Sequence, residues 1–466
     1  VVTRLGGHQR GGRTGGPYPT LKSPYKFPGR RRDRLDLDRW LEAGHVRFAY
    51  VVGTTWVQSM SGSGAMEDAF KRQTKFNPHQ IRTIEKEGII ETLKKRVDSG
   101  GMVVVDQDIY PIDPIGTQYA DIVLPAAGWG EETFTRCNGE RRLRLYQKFY
   151  DPPGEAKPDW WIVAQFAKKM GFEGYDWKDS NDVFEETCRF SRGSRTDYNV
   201  LRTVARRKGM KVHDLLRTYG TQGLQCPLLL FGDEIVETRR LHDFNRKFPE
   251  TGPEGVTVIS KVLTAFNTQT GKLNLMRTPW DIWSDFYDFM TPKEDELWIS
   301  NGRINEVWQS GFDDTEGRRP YIVQRWPFNW LEIHPDDAKA RGIESGDLIS
   351  VESNRVPVQK DFNLGVKSDD MWFSGLMKRG HIKMESGQFT AVAIVTPAIK
   401  KGVVYTNFLD KRQPLNSLTP RVPDPLSQNY RYKIARGKVR KIGESPYKRD
   451  LSQMSFKRRD IGGLSI

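Results

Sequence analysis

The sequence predicts an α/β protein in which a parallel-sheet, dinucleotide-binding-like domain precedes a strand-rich C-terminal domain. Short apolar strands alternate with amphipathic stretches between about residues 46 and 190, and this alternation is typical of a mainly parallel sheet. From about residue 297, short apolar segments follow one another between turns that contain Gly, Asn or Asp. The change of pattern indicates a second domain.

These patterns divide the chain into four segments. Residues 1–45 are rich in Gly, Arg and Pro, so little regular structure is expected there. The α/β domain is predicted at 46–190, a helical and irregular connecting region at 191–296, and the strand-rich domain at 297–466. Helices are expected at about Ala65 to Lys75, Ile81 to Asp98, Asp159–Gly171, Asn181–Phe190, Asn199–Arg207 and Val212–Tyr219.

Composition limits the class of function. The 466 residues are 37% hydrophobic and include 13 Trp, which is enough for sizeable cores. No apolar run approaches the roughly 18 residues of a membrane span. The formal net charge is +14, but the basic residues are dispersed and accompany no nucleic-acid motif. A non-catalytic, basic nucleic-acid-binding protein is therefore a remote alternative, and a cofactor with several phosphates is a competing partner for the charge.

Three cysteines, Cys137, Cys188 and Cys226, lie far apart in the sequence and form no CxxC motif. The chain is therefore expected to provide neither a zinc nor an iron–sulfur ligand set. It opens without an initiating Met or an apolar leader, so its first residues are interpreted as the middle of a larger protein.

Two predicted strands of the α/β domain end in candidate ligand contacts. Val46–Gly53 is expected to be a buried strand that leads into a Gly53-Thr54 loop. Asp106 stands at the carboxyl end of the next strand, Gly101–Gln107. In parallel sheets this edge binds ligands, and an acid there can bond a guanine or a ribose. The alternative for Asp106 is a helix cap.

A dense polar cluster follows a third strand. Ile122–Leu124 is expected to be a buried strand that Pro125 ends, because proline has no N–H for a sheet ladder. The cluster Asn138-Gly139-Glu140-Arg141-Arg142 comes after it. Adjacent arginines beside a carboxylate and an amide can grip a phosphate or a pterin edge. Asn138, Glu140 and Arg141 are therefore candidate contacts, and a basic turn between two strands is the alternative.

The strand-rich domain opens with LWISNGRINEVWQSG. Gly302 permits close backbone approach, Arg303 can meet a phosphate, and Trp308 can pack on a ring face. Further on, a short helix is expected to begin at Pro335 and to end at Gly342. His334 precedes that helix, so a structural role is favoured over a ligand role.

Several of these motifs resemble one family. ADIVLPAAGWGEETFTRCNGERR resembles a segment of the molybdopterin oxidoreductases of the dimethyl-sulfoxide-reductase superfamily. NGERRLRL with DPPGEAKPDWWIVAQFAKKMGFEGYDW is similar to the large subunit of arsenite oxidase, and iodate-reductase catalytic subunits belong to the same branch. The resemblance implies a C-terminal double-psi β-barrel domain and a bis(molybdopterin guanine dinucleotide) cofactor with molybdenum.

The resemblance also implies cofactor contacts in the C-terminal domain. NGRINEVWQ resembles the superfamily loop that contacts the guanine-dinucleotide ends, and the tail near residues 416–433 resembles the segment that folds over the pterins. The contacts implied in these two stretches are Asn301, Gly302, Arg303, Trp308, Gln309, Asn416, Asn429, Tyr430 and Lys433. Arsenite oxidase ligates molybdenum with no protein side chain, so no metal ligand is expected here.

The N-terminal motif RLGGHQ bears on the substrate. In arsenite oxidase the Arg and His of an RxGGHQ segment help to hold arsenite, and Arg4 and His8 match that pair. Arsenite oxidases commonly carry an acidic residue where Arg10 stands here. The main expectation is therefore oxygen-atom transfer on an oxyanion, as in arsenite oxidase, and the alternative is an oxyanion reductase like iodate reductase.

The resemblance corresponds to roughly the C-terminal half of the family's large subunit. The expected partners are the N-terminal half, with its iron–sulfur cluster, a Rieske-type iron–sulfur small subunit and a small oxyanion substrate. No nucleic-acid partner and no membrane span are expected. A periplasmic location is implied by the resemblance alone.

Overall fold

In the computed structural model, the described residues are 38, 40–57, 59–74, 86–110, 115–192, 198–238, 270, 272–273, 275, 280–303, 328–360, 373–408, 415–422 and 430–451. They fall into two compact units. One comprises the described residues within Arg31–Val123 and Pro279–Ile466, and the other those within Leu124–Thr278. The boundaries predicted for the four segments are not tested by this division and stay predictions.

The first unit contains a three-stranded sheet in the order β1 (Phe48–Val52), β2 (Val103–Asp108) and β3 (Ile122–Pro125). Strands β1 and β2 run parallel, with Phe48 opposite Val103 and Val52 opposite Gln107. Helices α1 (Ser63–Thr74) and α2 (Lys86–Asp98) lie between them in sequence. Their connection is the strand–helix–strand unit that the alternating pattern predicts.

The core of this sheet is apolar and close to α1. Val51 and Val104 from the strands share a buried cluster with Met66 and Phe70 of the helix. The rings of Phe70 and Tyr119 stack with centroids 5.8 Å apart. Burial of these side chains removes apolar surface from water and fixes the helix against the sheet.

The prediction of a buried strand at Ile122–Leu124 is wrong for its side chains. Ile122 and Val123 are 43% and 42% exposed, respectively. Among the strands that the structure describes, β3 lies at the edge of the sheet and has a neighbouring strand, β2, on one side only. The apolar run and the proline stop are compatible with an edge as well as with a central strand.

The first unit also contains a closed barrel of six strands. They are β9 Glu296–Gly302, β10 Trp330–Ile333, β11 Asp347–Gln359, β12 Ile382–Val395, β13 Val403–Asn407 and β14 Ala435–Glu444. Their order around the barrel is β10-β12-β11-β14-β9-β13. Parallel pairs join β9 to β13 and β10 to β12, and the other pairs are antiparallel. The barrel is confirmed, and the double-psi crossing of its strands stays a prediction.

Helix α8 (Pro335–Lys339) lies between β10 and β11 and shows the predicted start and stop. The His334 imidazole accepts a hydrogen bond from the Asp336 backbone N–H over 3.2 Å. Gly342 follows the helix with a φ of 63°, which glycine adopts without a Cβ penalty. His334 therefore has the structural role that the sequence favours.

Outside the barrel wall, helices α7 (Trp280–Met290) and α9 (Phe373–Lys378) pack together. Phe286 and Phe373 meet edge to face with their centroids 5.2 Å apart. None of the helices that the structure describes is long and apolar enough to cross a membrane.

The described part of the second unit contains a small sheet, a hairpin and four α-helices. The elements are β4 Phe134–Cys137, β5 Arg142–Tyr146, α3 Asp159–Lys169, α4 Ser180–Ser191, α5 Asn199–Arg207, α6 Val212–Arg217, β6 Leu224–Gln225, β7 Leu229–Phe231 and β8 Glu234–Val236. The sheet has the order β4-β5-β6, and the separate hairpin pairs β7 with β8. One apolar core joins α4, α5 and α6 to Leu143 of the sheet.

Helix α3 begins at Asp159, the first residue of the predicted helix. The helix is capped by Pro158, which makes no side-chain cap bond, and Asp159 is the first helical residue. Its carboxylate lies in the first turn, where the helix dipole favours negative charge. Gly171 follows the helix with a φ of 81°, which agrees with the predicted stop.

Candidate functional site

Gly53 and Asp106 lie at the sheet end where candidate contacts are predicted. The Gly53 N–H donates to the Gln107 carbonyl over 2.9 Å. Its φ is 52°, and a Cβ placed there would meet no atom within 4 Å. Thr54, next to it, is half-buried. The described loop therefore leaves open space beside its backbone, as a ligand-facing loop requires.

Asp106 is a buried acid inside β2, opposite Val51. Its side chain is only 4% exposed. Burial, and then the charge of Asp108, raises the pKa of Asp106 to about 7. The carboxyl can therefore either donate or accept a hydrogen bond near neutral pH. Its place inside a strand argues against the helix-cap alternative.

The segment 430–433 connects this sheet to the barrel. Tyr430 is buried in the sheet's core cluster, and burial raises its pKa. The Tyr432 carbonyl accepts a hydrogen bond from the Asn301 side-chain amide at the end of β9. The Lys433 ammonium donates to the Asn301 carbonyl over 3.0 Å and to its Oδ1 over 2.9 Å. Three predicted contacts, Asn301, Tyr430 and Lys433, are thus brought to one place.

Two cations meet at this place. Partial burial, and then the neighbouring Arg303, lowers the pKa of Lys433. Among the described residues, neither cation forms an ion pair with a carboxylate, although the Lys433 ammonium lies 5.3 Å from the centre of the Phe408 ring. Like charges without a counter-ion repel each other, so this pair has the electrostatics of an anion site.

Gly302 lies close to the side chain of Tyr405. A Cβ at Gly302 would lie 2.2 Å from the Tyr405 hydroxyl oxygen. That hydroxyl donates to the Arg303 carbonyl over 3.3 Å. The glycine therefore lets Tyr405 hold the backbone that carries Arg303, and its contact with a cofactor stays a prediction.

Asn416 is buried, and its backbone has a clear structural use. Its carbonyl accepts hydrogen bonds from the Gly62 N–H and the Thr419 hydroxyl, each over 2.9 Å. The predicted residues Arg4, His8, Trp308, Gln309 and Asn429 lie outside the described residues.

The polar cluster in the second unit forms the turn between β4 and β5. Asn138 Oδ1 accepts from the Arg142 N–H over 3.0 Å, and its Nδ2 donates to Glu140 Oε1 over 3.0 Å. The hydrogen bond from Asn138, and then Arg142 and Arg144, lower the pKa of Glu140. The polar cluster therefore has the geometry of the alternative interpretation, a basic turn between two strands.

Arg141 in this turn faces the protein. Its φ is 66°, an uncommon value for a residue with a side chain. The guanidinium donates to the Thr238 carbonyl over 3.1 Å and also to the Cys226 carbonyl. The polar groups of Asn138, Glu140 and Arg141 thus have protein partners, and their contact with a cofactor stays a prediction.

Two residues of interest, Tyr405 and Glu132, are not distinguished by the sequence alone. Tyr405 lies 102 positions from Arg303, so only the closed barrel shows their contact. In the second unit, burial, and then Asp159, raises the pKa of Glu132 to about 7. Glu132 lines a cleft of about 520 Å³ with Lys148, Lys157 and Trp160. Nothing in the local sequence distinguishes it from an exposed glutamate. No group of three or more His, Cys, Asp or Glu side chains in the described part could hold a metal ion.

Two family models match the chain. The molybdopterin oxidoreductase model matches residues 96–169, and the molybdopterin dinucleotide binding domain model matches residues 297–361. The chain is 53% identical over 468 residues to iodate reductase subunit IdrA of Denitromonas iodatirespirans, covering 99% of this chain and 52% of that protein. The chain belongs to the molybdopterin oxidoreductase family.

This molybdopterin oxidoreductase chain has further curated relatives. Iodate reductase subunit IdrA of Pseudomonas sp. (strain SCT) is 50% identical over 468 residues, covering 99% of this chain and 52% of that protein. Arsenite oxidase subunit AioA of Herminiimonas arsenicoxydans is 28% identical over 365 residues, covering 75% and 40%. The chain spans about half the length of the iodate reductase subunits that it matches.

These relatives confirm the predicted family and, at family level, the predicted molybdenum and molybdopterin guanine dinucleotide cofactor. For the substrate, they favour the alternative expectation over the main one. The iodate reductase subunits match almost the whole chain at about twice the identity of the arsenite oxidase subunit. The alternative expectation, an iodate-reductase-like protein, is therefore better supported than the arsenite-oxidase-like one.

The cations at the end of β9 fit this cofactor. A dinucleotide carries anionic phosphates, and guanidinium and ammonium groups are the side chains that bind phosphate most strongly. Arg303 and Lys433 lack a carboxylate partner among the described residues. Burial, and then Arg303, lowers the pKa of Lys433, and a phosphate would offset the charge of both cations. Arg303 lies inside the span 297–361 that the dinucleotide-binding model matches, and Lys433 lies outside it, so the fold and not the family model connects the two residues.

Proposed function

We propose that this chain is part of the catalytic subunit of a molybdenum enzyme that reduces iodate. The observation that carries the proposal is the identity of 53% and 50% to two iodate reductase subunits over 99% of the chain. Arg10 supports it, because a cation stands where arsenite oxidases commonly carry an acid. The arsenite oxidase subunit is similar over a shorter stretch and at 28% identity.

The proposed cofactor arrangement is two molybdopterin guanine dinucleotides around one molybdenum. When bound, the group supplies two-electron chemistry coupled to oxygen-atom transfer. The part of this chain is to bind and orient it. Arg303 and Lys433 would neutralise phosphate charge, and the Asn301 amide, already bonded to Lys433, would hold the ammonium in place. Trp308, Gln309 and Asn429 are proposed as further contacts.

At the sheet end, Gly53, Thr54 and Asp106 are proposed to contact a nucleotide part of the cofactor. Gly53 supplies open space beside its backbone. Asp106 has a pKa of about 7, so its carboxyl can match either a donor or an acceptor on a base or sugar. The buried position keeps water from competing for that bond.

Arg4 and His8 are proposed to bind the oxyanion in the complete protein. A guanidinium gives paired hydrogen bonds to oxyanion oxygens, and an imidazole can donate or hold a proton near neutral pH. The remaining half of the large subunit, its iron–sulfur cluster, a Rieske-type small subunit and a periplasmic location are further parts of the proposal. Their support is the family resemblance.

The test is the activity of the complete enzyme, purified with its molybdenum. A reduced one-electron dye should be oxidised when iodate is added, and the rate should depend on enzyme concentration. Arsenite offered with an oxidised dye should give little or no turnover. The matched control is the same enzyme from cells grown with tungstate in place of molybdate. Arsenite oxidation without iodate reduction would overturn the proposal and favour the arsenite-oxidase-like function.

A further inference from the structure

Three aromatic side chains lie exposed beside the paired strands β4 and β5 of the second unit. Trp129 precedes β4, and Phe149 and Tyr150 follow β5; their exposed fractions are 68%, 67% and 50%, respectively. The Trp129 and Phe149 rings meet edge to face with centroids 5.7 Å apart, and the Phe149 and Tyr150 rings with centroids 4.8 Å apart. Single exposed apolar residues are ordinary, but three rings in contact form a continuous apolar surface, the aromatic patch.

Gly130 fixes the position of the aromatic patch. Its carbonyl accepts hydrogen bonds from the Phe149 N–H over 3.0 Å and from the Tyr150 N–H over 3.4 Å. A Cβ at Gly130 would lie 2.5 Å from the Phe149 Cζ and 2.7 Å from the Tyr150 Cε1, so both rings pack on the glycine backbone. The rings are therefore held in place before any partner binds. Aromatic groups that are ordered in advance lose little entropy on binding and are frequent at the centres of protein interfaces.

The charged groups next to the aromatic patch do not favour a charged partner. Lys148 precedes Phe149 and forms an ion pair with Asp151 at 2.5 Å, so these two side chains neutralise each other. Interfaces between electron-transfer partners are small, whereas permanent interfaces are larger and more apolar and resemble a domain core cut in two. An apolar patch that is already ordered, with a neutralised ion pair beside it, fits a permanent interface.

The length of the relatives indicates which partner forms this interface. The chain spans 52% of each of the two iodate reductase subunits, so nearly half of the sequence of each subunit has no counterpart here. We propose that the aromatic patch is covered, in the complete protein, by an apolar surface of the part of the catalytic subunit that this chain does not contain. The inference rests on the proposed function only in taking the chain as part of a longer subunit.

The first experiment measures the access of solvent to Trp129 in the complete enzyme. A short pulse of hydroxyl radicals oxidises accessible aromatic side chains, and peptide mass spectrometry gives the rate for each of them. Trp129 should be oxidised several-fold more slowly than in the urea-denatured enzyme. Oxidation at nearly the denatured rate would overturn the proposal. Protection that disappears on dilution, or on removal of a small subunit, would also overturn it, because a second copy or that subunit would then be the partner.

The second experiment identifies the partner surface directly. The photo-reactive residue p-benzoylphenylalanine replaces Trp129 in the complete enzyme, and the cross-linked peptides are sequenced after illumination. They should come from the same catalytic subunit but from outside the sequence of this chain, and the subunit should keep its size on a denaturing gel. Cross-links to residues of this chain, to a second copy or to a small subunit would overturn the proposal, as would the absence of any cross-link.

Two glycines provide matched variants. Gly139 lies between β4 and β5, where a Cβ would meet no atom within 4 Å, and neither Gly130 nor Gly139 has a positive φ. Gly130→Ala should displace the Phe149 and Tyr150 rings and raise the oxidation rate of Trp129 several-fold, whereas Gly139→Ala should leave it unchanged. Unchanged protection of Trp129 in Gly130→Ala would contradict the fit of the patch to its partner. None of these measurements depends on iodate turnover, so this inference and the proposed function can fail separately.

Discussion

At the scale of single residues, the two cations Arg303 and Lys433 form the candidate anion site of the first unit. Lys433 is held against Asn301 by two hydrogen bonds, while partial burial, and then the charge of Arg303, lowers its pKa. A lysine that only stabilised the fold would gain more from a carboxylate partner, as Lys438 does with Asp295 at 2.6 Å. Retaining an uncompensated pair is physically reasonable where an anion completes it.

We therefore expect Lys433→Met to lower the affinity of the complete enzyme for its cofactor. Losing one charge-assisted hydrogen bond should cost about 1.5–3 kcal/mol of binding free energy. The measurement is the molybdenum and pterin content of the purified variant, with Arg303→Ala as a second variant. Lys438→Met is the matched control, since Lys438 sits in the same barrel and is ion-paired. Unchanged cofactor content in both test variants would remove this pair from the site.

The pH dependence of that binding has a definite sign. The pKa of Lys433 is below its usual value in the free site, and a bound phosphate would raise it. Affinity should therefore fall as pH rises from the free-site pKa to the bound pKa, because binding then requires proton uptake. In Lys433→Met this part of the pH dependence should disappear.

The burial of His213 in the second unit makes the free energy of unfolding depend on pH. It is 5% exposed, stacks on Phe184 with centroids 5.8 Å apart, and burial lowers its pKa to about 4. The unfolded chain takes up the proton below about pH 6.5, and the folded one only below about 4. Stability is thus fully present above about pH 6.5 and is lost as pH falls towards 4, by up to about 3 kcal/mol.

The measurement for His213 is the protection of buried α5 and α6 amides against hydrogen exchange at pH 7 and pH 5, corrected for intrinsic rates. His213→Gln should flatten the difference, because the titrating group is gone. A wild-type protection that is equal at the two pH values would contradict the assignment of a neutral, buried imidazole.

At the scale of elements, the sequence predicts periodic features well and pairings poorly. Helix Asn199–Arg207 has the predicted bounds, and the strand at Val103–Asp108 is displaced by one or two residues from its prediction. Local apolar spacing determines such elements. The contact of Tyr405 with Arg303 depends on which strands become neighbours, and no local sequence pattern predicts that pairing. Burial of Ile122 was predicted wrongly because an apolar run has the same appearance on an edge and in a centre.

The loop before β6 gives a test at this scale. Gly220 and Gly223 both have positive φ values, 56° and 59°, and Gly223 also has a ψ of −154°, a combination that is essentially restricted to glycine. A Cβ at Gly223 would lie 2.1 Å from the Leu143 carbonyl oxygen, whereas one at Gly220 would meet nothing within 4 Å. Gly223→Ala should therefore destabilise the second unit by on the order of 1–3 kcal/mol more than Gly220→Ala.

The comparison uses denaturant unfolding or hydrogen exchange of β5 and β6 amides in both variants. Because the two glycines belong to one loop and both have a positive φ, Gly220→Ala controls for an alanine in this loop, and the difference reports the contact with Leu143 together with the ψ of Gly223. Equal losses in the two variants would mean that β6 moves away from β5 at little cost.

At the scale of the whole molecule, the chain spans 52% of the length of the iodate reductase subunits that it matches. The proposed cofactor contacts Arg303 and Lys433 lie in the C-terminal part of the sequence, and the proposed oxyanion contacts Arg4 and His8 lie near its start. Under the proposed function, cofactor binding and substrate choice depend on different parts of the chain, and separate variants should affect them separately.

His8→Ala in the complete enzyme is expected to lower iodate turnover about 100-fold, the usual range for a lost proton-transfer group, with molybdenum content unchanged. The pH profile should flatten on one limb if the imidazole titrates during turnover. Arg13→Ala, in the same Gly- and Arg-rich segment, is the control and should leave both quantities unchanged. Normal iodate kinetics in His8→Ala would exclude His8 from the site. If instead turnover falls, Arg10→Glu becomes decisive: an acid there should repel an anionic oxyanion such as iodate more than the neutral acid form of arsenite, and should shift the ratio of the two activities towards arsenite.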